Sequence, residues 1–231
     1  HSMRRRRRPR FSATRRVTSV PGARRAVVSW ARVPLPPTRR AEHLMGMPHA
    51  TQRWTAEMGR ALPDDGNRYE VIAGELFVTP APSFDHQAAV LRLLLRLAPY
   101  VDAQHLGYVL ASPADIEFDE EDLVQPDVFV APRIEGRRPR RWSEIETLLL
   151  AVEVLSPSTA RADRAVKRRL FQRVGVPEYW IVDVEARLVE RWRPGDERPE
   201  IVTDTLAWRA APAVEPLVID LPKLFSEILE G

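Results

Sequence analysis

The chain has 231 residues, of which 44% are hydrophobic and 29% are charged, a composition typical of a globular domain with an apolar core. It contains no cysteine, which excludes disulfides and thiolate metal sites and favours a reducing cytoplasm. No apolar run approaches the ~20 residues that span a bilayer, so we expect no membrane segment. The net charge of +3 is the sum of two opposite parts. Residues 1–46 contain thirteen arginines and one acid and carry +12, whereas the rest of the chain carries −9. The basic balance of the whole chain therefore says little about the domain itself.

Residues 1–46 form an Arg- and Pro-rich extension, which we separate from a domain at residues 47–231. The first three residues, His1–Met3, are typical of the scar of a purification tag. The extension admits three interpretations: a basic arm that neutralises phosphates, a transit peptide, or a translated upstream region. In the third case the natural start is one of three later methionines: Met45, Met47 or Met58.

The first predicted elements of the domain are a helix, a hairpin and a second helix. Thr51–Leu62 predicts a short helix that ends before a Pro-Asp-Asp-Gly turn. The alternating residues of Arg68–Thr79, interrupted by Ala73-Gly74, predict a β-hairpin. Ser83 is a suitable N-cap for a helix through Tyr100 with apolar residues at helical spacing.

The second half of the domain is mostly strand-like. Predicted strands are Gly107–Ala111, Ala114–Phe118, Val124–Val130, Thr147–Leu155, Glu178–Asp183, Leu188–Arg193 and Ile201–Leu206. The first two of these are either two short strands or one bent strand. A basic amphipathic helix, Arg161–Val174, closed by Gly175, separates the fourth strand from the fifth, and a short helix, Pro222–Leu229, ends the chain. This order predicts a single α/β domain of the α+β type, with a mixed sheet.

A buried carboxylate is predicted in the strand Leu148–Leu155, where Glu153 is the one residue that is not apolar. A strand that is apolar on both faces is usually central, and an uncompensated carboxylate there costs several kcal/mol. A metal ion, a basic partner or protonation would compensate it. A buried salt bridge is the purely structural explanation, and Glu153 alone leaves the choice open.

A second carboxylate, Asp127, lies among apolar residues in Val124–Val130. Period two places Gln125 and Asp127 on one face, and Pro126 indicates a sheet edge or a bulge. If the strands of Asp127 and Glu153 are neighbours, both carboxylates point to one spot. That arrangement suits Mg²⁺, which takes one or two carboxylates and keeps several waters, and it serves phosphoryl chemistry.

Lys167 lies on the helix that follows the Glu153 strand, four residues after Asp163. The two could form a helical ion pair worth about 0.3–0.5 kcal/mol. Close to a metal, the same ammonium group could orient the attacking water or stabilise the charge of a phosphorane.

The order Pro126-Asp127, Glu153 and a later lysine resembles the PD-(D/E)xK nuclease superfamily. Within it, the chain is most similar to the bacterial Uma-two family of restriction-endonuclease-like proteins, over about residues 60–220. The specific string is Glu153–Thr159, with Asp163 and Lys167 at their offsets. The matching segments are Arg68–Leu76, Pro82-Ser83, His86-Gln87, Val124–Val128, Val152–Thr159 and Gly175–Asp183.

The resemblance implies a restriction-endonuclease-like core in which helices flank a mixed sheet. It implies Asp127 and Glu153 as ligands of Mg²⁺ or Mn²⁺ and Lys167 as the catalytic lysine. Leu155 stands where the superfamily has its lysine, and Lys167 on the following helix would replace that group. Phe171 stands where the family usually has tyrosine, and because Phe keeps the packing we expect little consequence.

Four further residues are candidate supporting groups. Glu70 is a candidate acidic ligand, or else an exposed strand residue. His86 is a candidate for phosphate contact or proton transfer, or else a polar residue at a helix terminus. Gln125 is a candidate partner of Asp127, and Asp163 is expected to orient Lys167. Some other polar residues could contact the site or its substrate, with solvated surface as the alternative: Asp115, Arg168, Arg169 and Arg173.

Two functions are consistent with these features. The first is a metal-dependent endonuclease that hydrolyses DNA phosphodiester bonds. The alternative is a non-cleaving nucleic-acid-binding or protein-interaction module with a nuclease-like fold, for which a homodimer is one assembly to consider. The intact set of Asp127, Glu153 and Lys167 favours the enzyme. The charge of −9 opposes DNA binding unless basic residues cluster near the site or the extension assists.

Overall fold

The computed structural model describes residues 52–230. The N-terminal extension, its boundary at residues 46 and 47, and the three interpretations of it lie outside the described residues. Within that range no helix is long and apolar enough to cross a membrane.

The described chain alternates short strands with four α-helices. In chain order the elements are α1 (Ala56–Arg60), β1 (Arg68–Ile72), β2 (Glu75–Thr79), α2 (Phe84–Ala103), β3 (Gly107–Ala111), β4 (Ile116–Asp119), β5 (Asp122–Val124), β6 (Val128–Pro132), β7 (Leu150–Val154), α3 (Arg168–Arg173), β8 (Tyr179–Asp183), β9 (Leu188–Trp192), β10 (Glu200–Val202), β11 (Thr205–Trp208), β12 (Leu217–Asp220) and α4 (Leu221–Leu229). A 3₁₀ turn lies at Trp142–Glu144, and a π-helical segment, Ala162–Lys167, runs directly into α3.

Two sheets position the candidate site. A six-stranded mixed sheet has the order β10-β9-β8-β7-β6-β3, and a four-stranded sheet has the order β2-β1-β5-β4. In the larger sheet β7 and β8 run parallel, because the π-helical segment and α3 form a crossover between them. The remaining pair, β11 and β12, forms a small hairpin-like sheet of its own.

The two faces of β7 pack in two different apolar cores. Val152 and Val154 pack in an apolar cluster with residues of α2 and α4, whereas Ala151 packs in a second cluster with residues of β1 and α3. Because successive side chains point to opposite faces, Glu153 lies on the same side as Ala151. The buried acid therefore faces the smaller sheet and the crossover helix.

Several predicted elements are confirmed because their signals are local. The hairpin of β1 and β2 turns at Ala73-Gly74, and both of these residues have positive φ. Ser83 caps α2 by accepting a hydrogen bond from the backbone N–H of His86. The first helix is shorter than predicted and begins at Ala56, after an N-cap at Thr55.

The prediction of one strand at Val124–Val130 is wrong. The segment contains β5 and β6, which belong to different sheets, and the Gln125–Asp127 segment is the connection between them. Proline has no N–H and cannot donate to a ladder, so pairing stops at Pro126 and the chain crosses from one sheet to the other. Gln125 and Asp127 are consequently not neighbours on one strand face.

The predicted helix Arg161–Val174 and the C-terminal elements also differ in detail. The first half of that helix is π-helical, and it is closed, as predicted, by Gly175, whose φ is +74°. The predicted strand Ile201–Leu206 divides into β10 and β11, and β12 was not predicted.

Candidate active site

Asp127 is held from three sides at the end of the connection between the sheets. Its Oδ2 accepts hydrogen bonds from the backbone N–H of Val154, at 2.8 Å, and from Nε2 of His86, at 2.9 Å. The guanidinium of Arg68 lies 2.8 Å from Oδ1. Its Nη1–H is, however, directed at the carbonyl of Gln125, 3.0 Å away, so Oδ1 is in ion-pair contact without an aligned hydrogen bond among the described residues.

Lys167 lies among three carboxylates that come from different parts of the fold. Its Nζ is 2.8 Å from Glu70 on β1, 3.0 Å from Glu153 on β7 and 3.6 Å from Asp163 on its own π-helical segment. All four side chains are at most 2% exposed. The π-helical segment buries both Asp163 and Lys167, and such segments are frequent at functional sites.

The cluster contains more negative than positive charge. Two permanent cations, Arg68 and Lys167, face four carboxylates: Glu70, Asp127, Glu153 and Asp163. With His86 neutral, two negative charges are in excess when every acid is ionised. Excess buried charge must be neutralised by protons or by a bound cation.

The pKa values of these groups follow from that imbalance. Burial raises the pKa of Glu153 well above its usual range, and Lys167 only partly opposes the shift. Burial also raises the pKa of Asp127, but the hydrogen bond from His86 and the charge of Arg68 outweigh it and hold this pKa below its usual range. Burial alone would lower the pKa of Lys167, but the negative charges of Glu153 and Glu70 outweigh burial, and the net effect is a raised pKa. Lys167 is therefore a charged donor at neutral pH and not a general base.

The two predicted acids line one pocket. Asp127 and Glu153, together with Arg68 and His86, border a cavity of about 200 Å³. The Ser156–Thr159 turn forms another wall, in which the Ser156 hydroxyl lies 3.0 Å from the hydroxyls of both Ser158 and Thr159. Ser83 and His86 come from the N-terminal end of α2, where the partial charge is positive. The pocket thus combines carboxylates with groups that bind phosphate well.

The carboxylates of this pocket suit one kind of metal site and not another. Within residues 52–230, no three His, Cys, Asp or Glu side chains converge closely enough to enclose a metal. Asp127 has a buried oxygen without a hydrogen bond, and Glu153 borders the same cavity. Two carboxylates beside open space fit a hard cation that keeps part of its water shell, as Mg²⁺ does, and do not fit a closed structural site.

The other sequence-predicted residues divide into those inside and those outside this cluster. Glu70, His86 and Asp163 belong to it. Gln125 contributes its backbone, because its N–H donates to Glu70 and its carbonyl accepts from Arg68, whereas its side-chain amide donates to Asp115.

The arginines of the crossover helix lie outside the cluster. Arg173 pairs with Asp122, and the guanidinium of Arg168 lies 4.7 Å from the centre of the Trp192 ring. Arg169 is exposed.

Arg68 is the member of the cluster to which sequence analysis assigned no role. It precedes Glu70 by two positions on β1, so both side chains face the larger sheet. The sequence signal for Arg68 is that it shares a strand face with Glu70. This signal identifies Arg68 as a site residue only when the facing sheet is known to carry Asp127 and Glu153.

The chain is similar to known proteins both in sequence and in fold. The family model Uma2, described as a putative restriction endonuclease, matches residues 56–221. A crystal structure of a putative nuclease belonging to DUF820 from Anabaena variabilis superposes with a TM-score of 0.61 at 20% identity, covering 76% of this chain and 99% of that chain. A search of curated proteins finds no match. The predicted mixed α+β nuclease-like fold is confirmed by this likeness.

Proposed function

The chain belongs to the Uma2 family of restriction-endonuclease-like proteins, and from this premise we propose that it is a metal-dependent endonuclease that hydrolyses phosphodiester bonds in DNA. The proposed cofactor is Mg²⁺ or Mn²⁺, held by Asp127 and Glu153. Lys167 is the proposed third catalytic group.

One observation carries the proposal: Asp127 and Glu153 border the same pocket within a buried cluster of four carboxylates and two permanent cations. With every acid ionised, this cluster has two negative charges in excess, which one divalent cation would neutralise. Without a metal ion, protonation neutralises part of the excess, in line with the raised pKa of Glu153. A purely structural salt-bridge cluster is expected to pair its charges, because each unpaired buried charge destabilises the fold, so a surplus of carboxylates beside a pocket favours a cationic ligand.

The metal, when bound, would polarise the phosphate and lower the pKa of the attacking water. The residues of the chain perform the remaining tasks. Lys167 lies behind the pocket, which Glu153 borders, and its ammonium group is 3.0 Å from Glu153. From there its charge holds Glu153 in position and stabilises the negative charge that develops on the phosphate. Arg68 holds Asp127 ionised, and the Ser156–Thr159 hydroxyls lie where they can donate to the phosphate.

His86 is the proposed proton acceptor. Its Nε2–H donates to Asp127, which leaves Nδ1 as the basic nitrogen, and Nδ1 has no hydrogen-bond partner among the described residues. As the water oxygen bonds to phosphorus, a water proton passes to His86 and the bond to the leaving oxygen breaks. The leaving oxygen then takes a proton from solvent.

The test is DNA cleavage by purified protein with Mn²⁺, using plasmid and single-stranded substrates. Wild type is expected to cleave, whereas Glu153→Ala and Asp127→Asn are expected to be inactive. Asp115→Asn, a carboxylate outside the cluster, is the matched control and is expected to retain activity. Equal cleavage by Glu153→Ala and wild type would assign the activity elsewhere, and no cleavage by wild type under any metal condition would leave the non-cleaving module as the function.

A further inference from the structure

A second cavity lies at the far end of β6, outside the cluster of Asp127 and Glu153. It has a volume of about 470 Å³, within the range of ligand-binding pockets. Tyr108, Leu110 and Ile145 contribute apolar surface to it, and Trp142 borders it from the 3₁₀ turn. Nothing in the proposed hydrolysis uses this cavity.

The rim of this cavity is strongly basic. Residues 133–142 include five arginines and one acid, although residues 52–230 as a whole carry −9. Three of the arginines border the cavity: Arg138, Arg140 and Arg141. These three are exposed and form no ion pair with a carboxylate in the described part of the chain, whereas the neighbouring Arg137 is paired with Glu144. Their charge is therefore available to an anionic ligand.

Trp142 provides an aromatic surface beside these arginines. It packs against Phe129, with ring centres 6.1 Å apart and planes at 64°, and it remains 43% exposed. Tyr108 already has the guanidinium of Arg133 over its ring, at 5.5 Å. A planar ligand that bears phosphate can stack on Trp142 while its phosphates contact the arginines.

This combination selects single-stranded nucleic acid over duplex. Bases in a duplex are paired and stacked inside, so they cannot enter a concave pocket or cover a tryptophan ring. Unpaired bases stack readily on aromatic side chains, and basic residues follow the backbone beside them. A duplex would meet only the arginine rim.

The cavity lies where a single DNA strand bound in it could also reach Asp127 and Glu153. Asp127 directly precedes β6, and Ala131, which borders the cavity, lies four residues further along, so the two sites are about 13 Å apart along β6, at roughly 3.3 Å per residue. We propose that the cavity bordered by Trp142 and Arg138, Arg140 and Arg141 binds unpaired bases and phosphates of the DNA substrate a few nucleotides from the bond that is cleaved. This inference rests on the proposed function for the identity of the ligand as substrate.

Binding without catalysis tests this site. The probe is a fluorescein-labelled oligothymidylate in EDTA, compared by anisotropy with a duplex of the same length over a range of salt concentrations. Trp142→Ala is expected to weaken binding of the single strand about tenfold or more and to leave duplex binding nearly unchanged. Replacing Arg138, Arg140 and Arg141 with serine is expected to reduce the slope of log affinity against log salt by about two. Because these arginines are exposed, this variant tests the site even if Trp142→Ala fails to fold, and the exposed Arg198→Ser is the control.

The outcomes separate this inference from the proposed function. Unchanged single-strand binding by Trp142→Ala, or an equal loss for both probes, overturns the stacking site. An unchanged salt slope in the triple variant overturns the role of the arginines. If the expected pattern appears while wild type cleaves no DNA, the binding site stands and the endonuclease proposal fails; if wild type cleaves DNA and the pattern is absent, the reverse holds.

Discussion

The carboxylate of Asp127 accepts a hydrogen bond from the backbone N–H of Val154, with 2.8 Å between Oδ2 and the nitrogen. Val154 directly follows Glu153 on β7, so this bond joins the connection between the two sheets to the strand that carries the second acid. Because the donor is main chain, the fold of β7 itself fixes this contact, while the side chains of His86 and Arg68 hold the same carboxylate from other sides.

Lys167→Met is expected to destabilise the protein strongly. The substitution keeps the volume of the side chain but leaves Glu70 and Glu153 without their common cation, and removing one partner of a buried ion pair typically costs about 3–5 kcal/mol. Urea unfolding at neutral pH measures the loss. The control is Arg169→Met, an exposed site two residues along, for which a change within about 0.5 kcal/mol is expected. Equal stability of the two variants would contradict a tightly paired cluster.

Metal affinity is expected to increase with pH. The raised pKa of Glu153 means that its proton persists above pH 4.5, the ordinary value, so a metal ion must displace that proton to bind. Between pH 4.5 and the raised pKa, affinity for Mn²⁺ should rise about tenfold per pH unit for each proton released. Calorimetry in buffers of different ionisation enthalpy counts the protons. Affinity that is flat across this range would mean that Glu153 is not a ligand.

His86→Gln is expected to reduce the rate of cleavage and to spare the metal site. The glutamine amide can still donate to Asp127, but it has no basic nitrogen to accept the water proton. A loss of about 10²–10⁴ in kcat is expected, with Mn²⁺ affinity unchanged. His105→Asn, on the surface, is the control. A kcat close to that of wild type would assign the proton to another acceptor.

Gly107→Ala is expected to destabilise the edge of the larger sheet. A Cβ at this position would lie 2.0 Å from the carbonyl oxygen of Ala131 on the paired strand β6, so the backbone must move. A loss of about 1–3 kcal/mol is typical of such overpacking. Gly136→Ala is the contrasting variant, because its Cβ meets nothing within 4 Å but its φ is +76°, so any loss there comes from backbone strain and not from close approach. Unchanged stability of Gly107→Ala in urea would show that β3 shifts at little cost to admit the methyl group.

The parts of the fold that sequence predicts correctly are those with local signals. The hairpin at Ala73-Gly74 and the helix capped by Ser83 each depend on residues within one turn of each other. The break at Pro126 depends instead on tertiary structure, because β5 and β6 join different sheets. Apolar residues would alternate in the same way if Val124–Val130 were one continuous strand. The division of the predicted helix into π and α parts also lacks a signal, since Asp163 and Lys167 are four apart in either form.

In the candidate site, too, sequence predicts what depends on local pattern and misses what depends on tertiary packing. Acids at Asp127 and Glu153 were predicted from apolar surroundings, a property of each strand taken alone. The partnership of Arg68 with Asp127 and of Lys167 with Glu70 required the packing of one sheet on another, because the paired residues are 59 and 97 positions apart. A homodimer, named as one assembly to consider, stays a prediction because it concerns a second chain.

The ion pairs of the cluster also connect the two sheets mechanically. Arg68 and Glu70 belong to the hairpin side, whereas Glu153 and Lys167 belong to the larger sheet and its crossover. A fluctuation that lifts the hairpin separates these groups without disturbing the strand pairing around β7, since such openings occur below the free energy of global unfolding. On heating, loss of function should therefore precede loss of the larger sheet, and substitutions that loosen the Ala73-Gly74 turn should lower the temperature of inactivation without touching any residue of the site.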